Sequence, residues 1–195
     1  MESEWVDLKP EEIKNISMAT EFKEIPGLSV LNDAITESDE KKIIAKIEKG
    51  VWESVAGKRE VQQFGFKYDY VKRSVSDVYV SMPKWILKLA DFLDLPEPQN
   101  VIINKYEPGE GISAHTDNAC FGPVIASLSL MSEIPMEFKF NALEHCIRLV
   151  PRSLIKLEGE VRNRWTHCIP ARKNDIVNGV KVPRNKRYSI TFRTI

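Results

Sequence analysis

Long apolar runs are missing from this chain, and no stretch is long enough to cross a bilayer as a helix. The opening Met1-Glu2-Ser3-Glu4-Trp5-Val6-Asp7 is acidic, where a secretory leader would be basic and then apolar. The expectation is a non-secreted protein of the cytoplasm, the nucleus or both, with no membrane partner. Cysteine is scarce: Cys120, Cys146 and Cys168 are odd in number, far apart and form no CxxC. That argues against a disulfide framework and for a reducing compartment. Internal repeats and low-complexity tracts are absent, which excludes solenoids and arrays.

Net charge is also absent, since 28 Lys and Arg balance 28 Asp and Glu. The balance hides an uneven distribution. Residues 1–40 hold 3 basic and 11 acidic side chains, a net −8, whereas residues 139–195 hold 13 basic and 4 acidic, a net +9. Two readings stand side by side. The basic part would attract a phosphate-bearing substrate, or the two parts pack on each other and cancel. A length of 195 residues with 43% hydrophobic and 29% charged content fits one globular domain with a sizeable core.

Residues 1–25 are polar and charge-rich and read as a partly ordered arm, which leaves 26–195 as the single domain. Thr36 is placed to cap a helix whose first turn holds Glu37, Asp39 and Glu40. Ile43, Ile44 and Ile47 then recur at helical spacing, and Gly50 lies beyond the end. A second helix is predicted to take Pro83 as its first residue and to bury Trp85, Ile86, Leu89, Phe92 and Leu93. Pro96 and Pro98 would stop it. From residue 100 onward short β-branched runs alternate with turn residues. Strands are predicted at 101–106, 124–130, 136–140, 146–150, 154–157, 165–169 and 187–194. This pattern points to a mainly β protein: a double-stranded β-helix, or jelly roll, with the N-terminal helices packed on one sheet.

Within these strands His115-Thr116-Asp117 places an imidazole and a carboxylate two residues apart, on one face of an extended segment. His167 supplies a second imidazole from a distant strand. Two histidines and one carboxylate form a facial ligand set for ferrous iron that leaves positions open for a cosubstrate and dioxygen. An HxD alone is also compatible with a hydrogen-bonded surface pair, and His167 alone with a core histidine. The last strand carries Arg187, Ser189, Thr191 and Arg193 on one face and Tyr188, Ile190 and Phe192 on the other. That alternation suits a half-solvated strand, and equally a buried dicarboxylate held by permanently charged guanidiniums. Asn104 and Tyr106 repeat the pattern just before the HxD.

The motifs Asn104-Lys105-Tyr106-Glu107-Pro108-Gly109-Glu110-Gly111-Ile112, His115-Thr116-Asp117, Trp165-Thr166-His167 and Arg187-Tyr188-Ser189-Ile190-Thr191-Phe192-Arg193 come in an order and at separations that resemble the AlkB family of Fe(II)/2-oxoglutarate dioxygenases. The likeness covers roughly residues 60–195. Within the family it is strongest to the AlkB-type domain of the tRNA wobble-uridine hydroxylase. The resemblance implies that His115, Asp117 and His167 ligate iron and that Arg187 binds the distal carboxylate of 2-oxoglutarate. Arg193 would hold the end nearer the metal, and Asn104 and Tyr106 would be hydrogen-bond partners. Lys105, between them, falls in the same cosubstrate-binding segment. It further implies decarboxylation of 2-oxoglutarate with O2 and hydroxylation of a substrate C–H bond, which on an N-methyl group releases formaldehyde.

Departures from the family shape further expectations. The zinc site of the tRNA enzyme uses a histidine where this chain has Ala119, together with cysteines beyond the last strand, so no zinc is predicted. Ala119 also replaces the acidic base-reading residue of the DNA-repair branch. A methyltransferase or RNA-binding activity, if needed, would come from a separate chain. Cys168 stands where relatives have glycine, and would narrow the site, invite oxidation or simply pack. Phe64, Phe66, Tyr68 and Tyr70 alternate, so an extended strand would put all four on one face, either in the core or stacked on an unpaired base. Lys58, Arg59, Lys72 and Arg73 flank that segment as phosphate contacts or as an ordinary solvated loop. A modified nucleobase in RNA, favoured over DNA, is the expected substrate. The same chemistry on a protein or small molecule, and an inactive binding subunit, are the alternatives.

Overall fold

Thr36, itself in extended backbone after a turn, starts a helix because its Oγ1 accepts the Asp39 N–H at 3.1 Å. A cap of this kind contributes about 1 kcal/mol. In the computed structural model, which describes residues 19–55 and 59–195, strands β1 (Thr20–Glu21) and β2 (Leu28–Leu31) precede this helix, α1 (Glu37–Ile47). Then come β3 (Glu53–Val55), β4 (Arg59–Asp69), β5 (Ser74–Val80) and α2 (Lys84–Phe92). The second half runs through β6 (Asn100–Tyr106), β7 (Ile112–His115), β8 (Ile125–Leu130), β9 (Ile134–Phe140), β10 (Leu143–Leu149) and β11 (Leu154–Leu157). A short α3 (Gly159–Arg164) leads into β12 (Thr166–Ile169), the hairpin β13 (Asn174–Val177) and β14 (Val180–Pro183), and the last strand β15 (Arg187–Arg193).

Besides the β13-β14 hairpin, the described residues form two larger antiparallel sheets. The larger runs β1-β2-β11-β8-β15-β6-β4-β3, with β5 also paired to β4; the smaller runs β10-β9-β12-β7. Residues distant in sequence thus face each other across a sandwich, as the jelly-roll expectation required. Alternation along β15 explains how the layers are assigned. Tyr188, Ile190 and Phe192 join Ile43 and Ile47 of α1 and Ile86 and Leu89 of α2 in one apolar cluster on the outer face of the larger sheet. The opposite face of β15 looks inward, toward the smaller sheet. There a second apolar cluster, including Phe138, Leu149, Ile155, Leu157 and Trp165, closes the space between the sheets. Each of these large side chains contributes roughly 1.5–3 kcal/mol by leaving water.

The seven predicted strands occur within two or three residues of their expected bounds. Pro83 caps α2 with extended backbone (ψ 139°) rather than occupying its first helical position. Of the arm at 1–25, residues 1–18 lie outside the described residues; residues 20–21 pair with β2, and Ile25 is buried in the second apolar cluster. The charge asymmetry is partly cancelled by contact. Arg152 pairs with Asp33 at 2.8 Å and Glu40 at 3.2 Å.

Candidate metal centre and anion site

β7 and β12 are neighbours in the smaller sheet, and the register sets His115 directly opposite His167. Their ring centroids are 4.4 Å apart. Two residues beyond His115, Asp117 returns to the same side, with Oδ2 at 3.6 Å from His167 Nε2. One donor atom from each of the three lies within 4.8 Å of the others, so the group can close on one ion. His115 Nδ1 lies 2.8 Å from the Ser113 carbonyl oxygen. A proton on that nitrogen leaves Nε2 as the ligating atom.

Electrostatics hold these side chains in ligating form. Burial alone would raise the Asp117 carboxyl, but the Arg193 charge, helped by His167 and His115, overrides it and holds the group down at about 2. Arg193 reaches Asp117 Oδ1 through Nη2 at 2.9 Å and Nε at 3.2 Å. It also donates to Asn100 Oδ1 at 3.3 Å. Burial pushes the His167 imidazole down to about 4, which keeps it neutral near pH 7.

Arg162 of α3 is a functional residue that sequence reading missed. Its buried guanidinium donates to four carbonyls of the loop carrying Asp117. The distances are 2.8 Å to Asp117 O, 2.8 Å to Asn118 O, 3.1 Å to Phe121 O and 3.3 Å to Gly122 O. The loop after the HxD is thus pinned from behind by one side chain. A six-residue helix with no side-chain cap leaves no periodic signal from which to find it.

Between the sheets lies a cavity of about 320 Å³. Asn104, Tyr106, Arg187, Ser189, Thr191 and Arg193 all line it, as do the three candidate ligands. Arg187 is 1% exposed. Its Nη2 donates to Ser129 Oγ at 2.8 Å and its guanidinium lies 5.4 Å from the Tyr106 ring centroid. Among the described residues Nε and Nη1 have no hydrogen-bond partner, and burial pushes this guanidinium down to about 10. A buried cation with two idle donors is costly unless an anion completes it. The fit to a carboxylate is direct, since guanidinium and carboxylate pair through two parallel bonds.

Other expected site residues are placed elsewhere. Lys105 points to the opposite side of β6, where it pairs with Glu60 and lies 5.1 Å from the Trp52 ring centroid; strand alternation between Asn104 and Tyr106 forces this. Phe64, Phe66 and Tyr68 of β4 and Tyr70 just beyond it do not share a face. Gly65 takes φ +72°, and the pairing with β5 becomes irregular between Phe66 and Tyr68, where the alternation breaks. A side chain at Gly65 would collide with the Gln99 carbonyl oxygen, 2.1 Å from a Cβ placed there. Phe64 therefore packs in the helix-side cluster and Phe66 is exposed beside Tyr79, while Tyr68 and Tyr70 line the cavity. Arg59 and Arg73 also line it; Lys58 lies outside the described residues. Cys168 faces away from the cavity and donates to Glu137 Oε2 at 3.8 Å, so it does not narrow the site.

Comparison with known proteins shows the family. The profile of the 2OG-Fe(II) oxygenase superfamily covers residues 35–193. An uncharacterized protein of Acanthamoeba polyphaga mimivirus is 34% identical over 89% of this chain and 87% of its own length. The tRNA (carboxymethyluridine(34)-5-O)-methyltransferase ALKBH8 of Macaca fascicularis is 31% identical over 90% of this chain, which spans only 27% of that longer protein. The structure of OsALKBH1 superposes with a TM-score of 0.73 at 16% identity, covering 91% of this chain and 100% of that one. The chain belongs to the 2OG-Fe(II) oxygenase superfamily, as an AlkB-like member. It is a 2-oxoglutarate-dependent dioxygenase, for which the family implies Fe(II), 2-oxoglutarate and O2.

Proposed function

We propose that this dioxygenase oxidises a modified nucleobase in nucleic acid, with RNA, and tRNA in particular, favoured over DNA. His115, Asp117 and His167 would hold the iron, and Arg187 the distal carboxylate of 2-oxoglutarate. Bound iron supplies the activation of O2 that converts 2-oxoglutarate to succinate and carbon dioxide and oxidises a substrate C–H bond. The chain's own residues position and seclude that chemistry. Arg193 keeps Asp117 ionised and oriented. Ser129 and Tyr106 fix the Arg187 guanidinium at the inner end of the cavity. The apolar side chains Ile102, Ile125, Met136, Ile155 and Leu157 line the cavity and exclude water.

The observation that carries the cosubstrate assignment is the pair of unpartnered Arg187 donors within reach of the same cavity as the His-Asp-His cluster. The nucleic-acid assignment is supported by the aromatic wall of Tyr68, Tyr70 and Phe121, on which an unpaired base can stack. A role for a separate methyltransferase or RNA-binding chain fits the relation to ALKBH8, of which this chain spans about a quarter. The test is twofold. Purified protein with Fe(II) and 2-oxoglutarate under air should form succinate, and more of it when tRNA is added. Nucleoside mass spectrometry of treated RNA and DNA should then show a base lost or hydroxylated; unchanged profiles in both would count against a nucleic-acid substrate.

A further inference from the structure

Charge around the cavity is lopsided. Among the described residues four lining side chains are guanidiniums, Arg59, Arg73, Arg187 and Arg193, and the only lining carboxylate is Asp117, already paired with Arg193 at 2.9 Å. With a divalent ion and a doubly charged cosubstrate bound, six positive charges would face three negative ones. Arg187 serves the inner end, which leaves Arg59 and Arg73 as the surplus. Among the described residues neither forms an ion pair with a carboxylate; Arg59 Nε donates to Asn104 Oδ1 at 3.1 Å and its guanidinium lies 5.8 Å from the Tyr70 ring centroid. Arg73 sits at φ +55°, and Asn118, the residue after Asp117, donates its side-chain amide to the Arg73 carbonyl at 2.7 Å. The Arg73 turn is thus tied to the loop that carries the acidic metal ligand.

The aromatic wall is also claimed by cations of the chain itself. Arg59 lies over Tyr70, and the Arg193 guanidinium lies 4.7 Å from the Phe121 ring centroid. A positively charged base would seek these π faces and would meet arginines on them. We infer that Arg59 and Arg73 select a substrate that carries negative charge next to a neutral oxidised base, and select against cationic alkylated bases. This rests on the nucleic-acid reading above. Guanidiniums bind phosphate and carboxylate oxygens through directed, charge-assisted bonds. Arg73 is exposed and Arg59 half-buried, so water screens part of the repulsion, and discrimination combines this rejection with attraction. The negative group is either a backbone phosphate or a carboxylate on the base.

The test is equilibrium binding to the full chain loaded with Mn(II) and 2-oxoglutarate, without turnover. The probes are single-stranded RNA oligonucleotides with one central N3-methylcytosine (cationic), N3-methyluracil (neutral) or 5-carboxymethyluracil (anionic), and the three matching free nucleosides. The cationic oligonucleotide should bind roughly tenfold more weakly than the other two. R59Q/R73Q should narrow that gap to about twofold, and R59K/R73K should restore most of it. If the double variant weakens every oligonucleotide but no nucleoside, phosphate is the partner; if it weakens the anionic nucleoside, the base carboxylate is. Equal affinity for cationic and neutral probes, or a gap untouched by R59Q/R73Q, overturns the charge selection while leaving the nucleic-acid reading in place. Failure of every oligonucleotide to bind overturns both.

Discussion

Arg187 and Arg193 stand on the same face of the same strand, six residues apart, and the fold treats them differently. Arg193 is satisfied by the protein: Asp117 takes two of its donors and Asn100 a third. Among the described residues Arg187 has one hydrogen-bond partner, Ser129, and two donors with none. Identical side chains thus divide the cavity into a self-neutralised end beside the metal ligands and an inner end that is complete only with an anion. The general lesson is that an arginine's role is read from what remains unpaired, because a buried guanidinium with idle donors is a cost the fold would otherwise avoid.

The largest expected effect breaks the self-neutralised end. D117A or H115A should lower succinate formation by at least about a thousandfold, because a facial set of three cannot hold the ion in place with two. Circular dichroism of the metal-free variants should match the parent. Turnover within tenfold of the parent in either would refute the ligand assignment.

Breaking the inner end should act differently. R187M should raise the 2-oxoglutarate requirement roughly a hundredfold, in line with losing a bidentate charged bond. It should also leave the metal-free protein as stable as the parent or more so, since it removes an incompletely paired buried charge. A drop in both affinity and stability would mean that the Arg187 charge supports the fold itself.

R193Q sharpens the contrast. Loss of the group that orients Asp117 should weaken metal binding by about tenfold to a hundredfold while shifting the 2-oxoglutarate requirement less than R187M does. The reverse ranking, read by titrating Mn(II) and 2-oxoglutarate separately, would exchange the two roles. R162K tests the same end from behind. It keeps the charge but not the four-carbonyl grip, and should weaken Mn(II) binding several-fold with a thermal cost of about 2–3 kcal/mol.

The smallest effect is on pH. The His167 imidazole is pushed down to about 4 by burial, against an ordinary value of 6.5. Between those values the unfolded chain binds more protons than the folded one. The stability it contributes to the metal-free protein is therefore complete above pH 6.5 and is lost as pH falls toward 4. H167Q should flatten that part of the profile, measured as melting temperature against pH. An equally steep decline in the variant would assign it to other groups.

Much of the chemistry was legible in the sequence because β-strands convert spacing into sidedness. His115 with Asp117, Asn104 with Tyr106, and the four inward residues of β15 all follow from a period of two. The same rule misled where the period was broken. The irregularity between Phe66 and Tyr68 separated Phe64 and Phe66 from Tyr68 and Tyr70, and Lys105 was carried along with its neighbours though alternation turns it away. The β13–β14 hairpin was missed despite a usable signal: Asn178-Gly179 between Ile176-Val177 and Val180 is the dipeptide of a two-residue turn. The Val- and Tyr-rich stretch of β5 also went unread, and α3 offered no signal. Arg162 could not be found from spacing, since its partners are carbonyls and any residue can supply those.

One measurement bears on the centre of this account: calorimetric titration of the metal-free chain under anaerobic conditions, first with Fe(II) and then with 2-oxoglutarate. The prediction is one ion per chain, then one 2-oxoglutarate whose binding is much tighter with the ion present. D117A should abolish the first event, and R187M should weaken only the second. Iron binding that survives D117A, or 2-oxoglutarate binding indifferent to both iron and Arg187, would contradict the shared site.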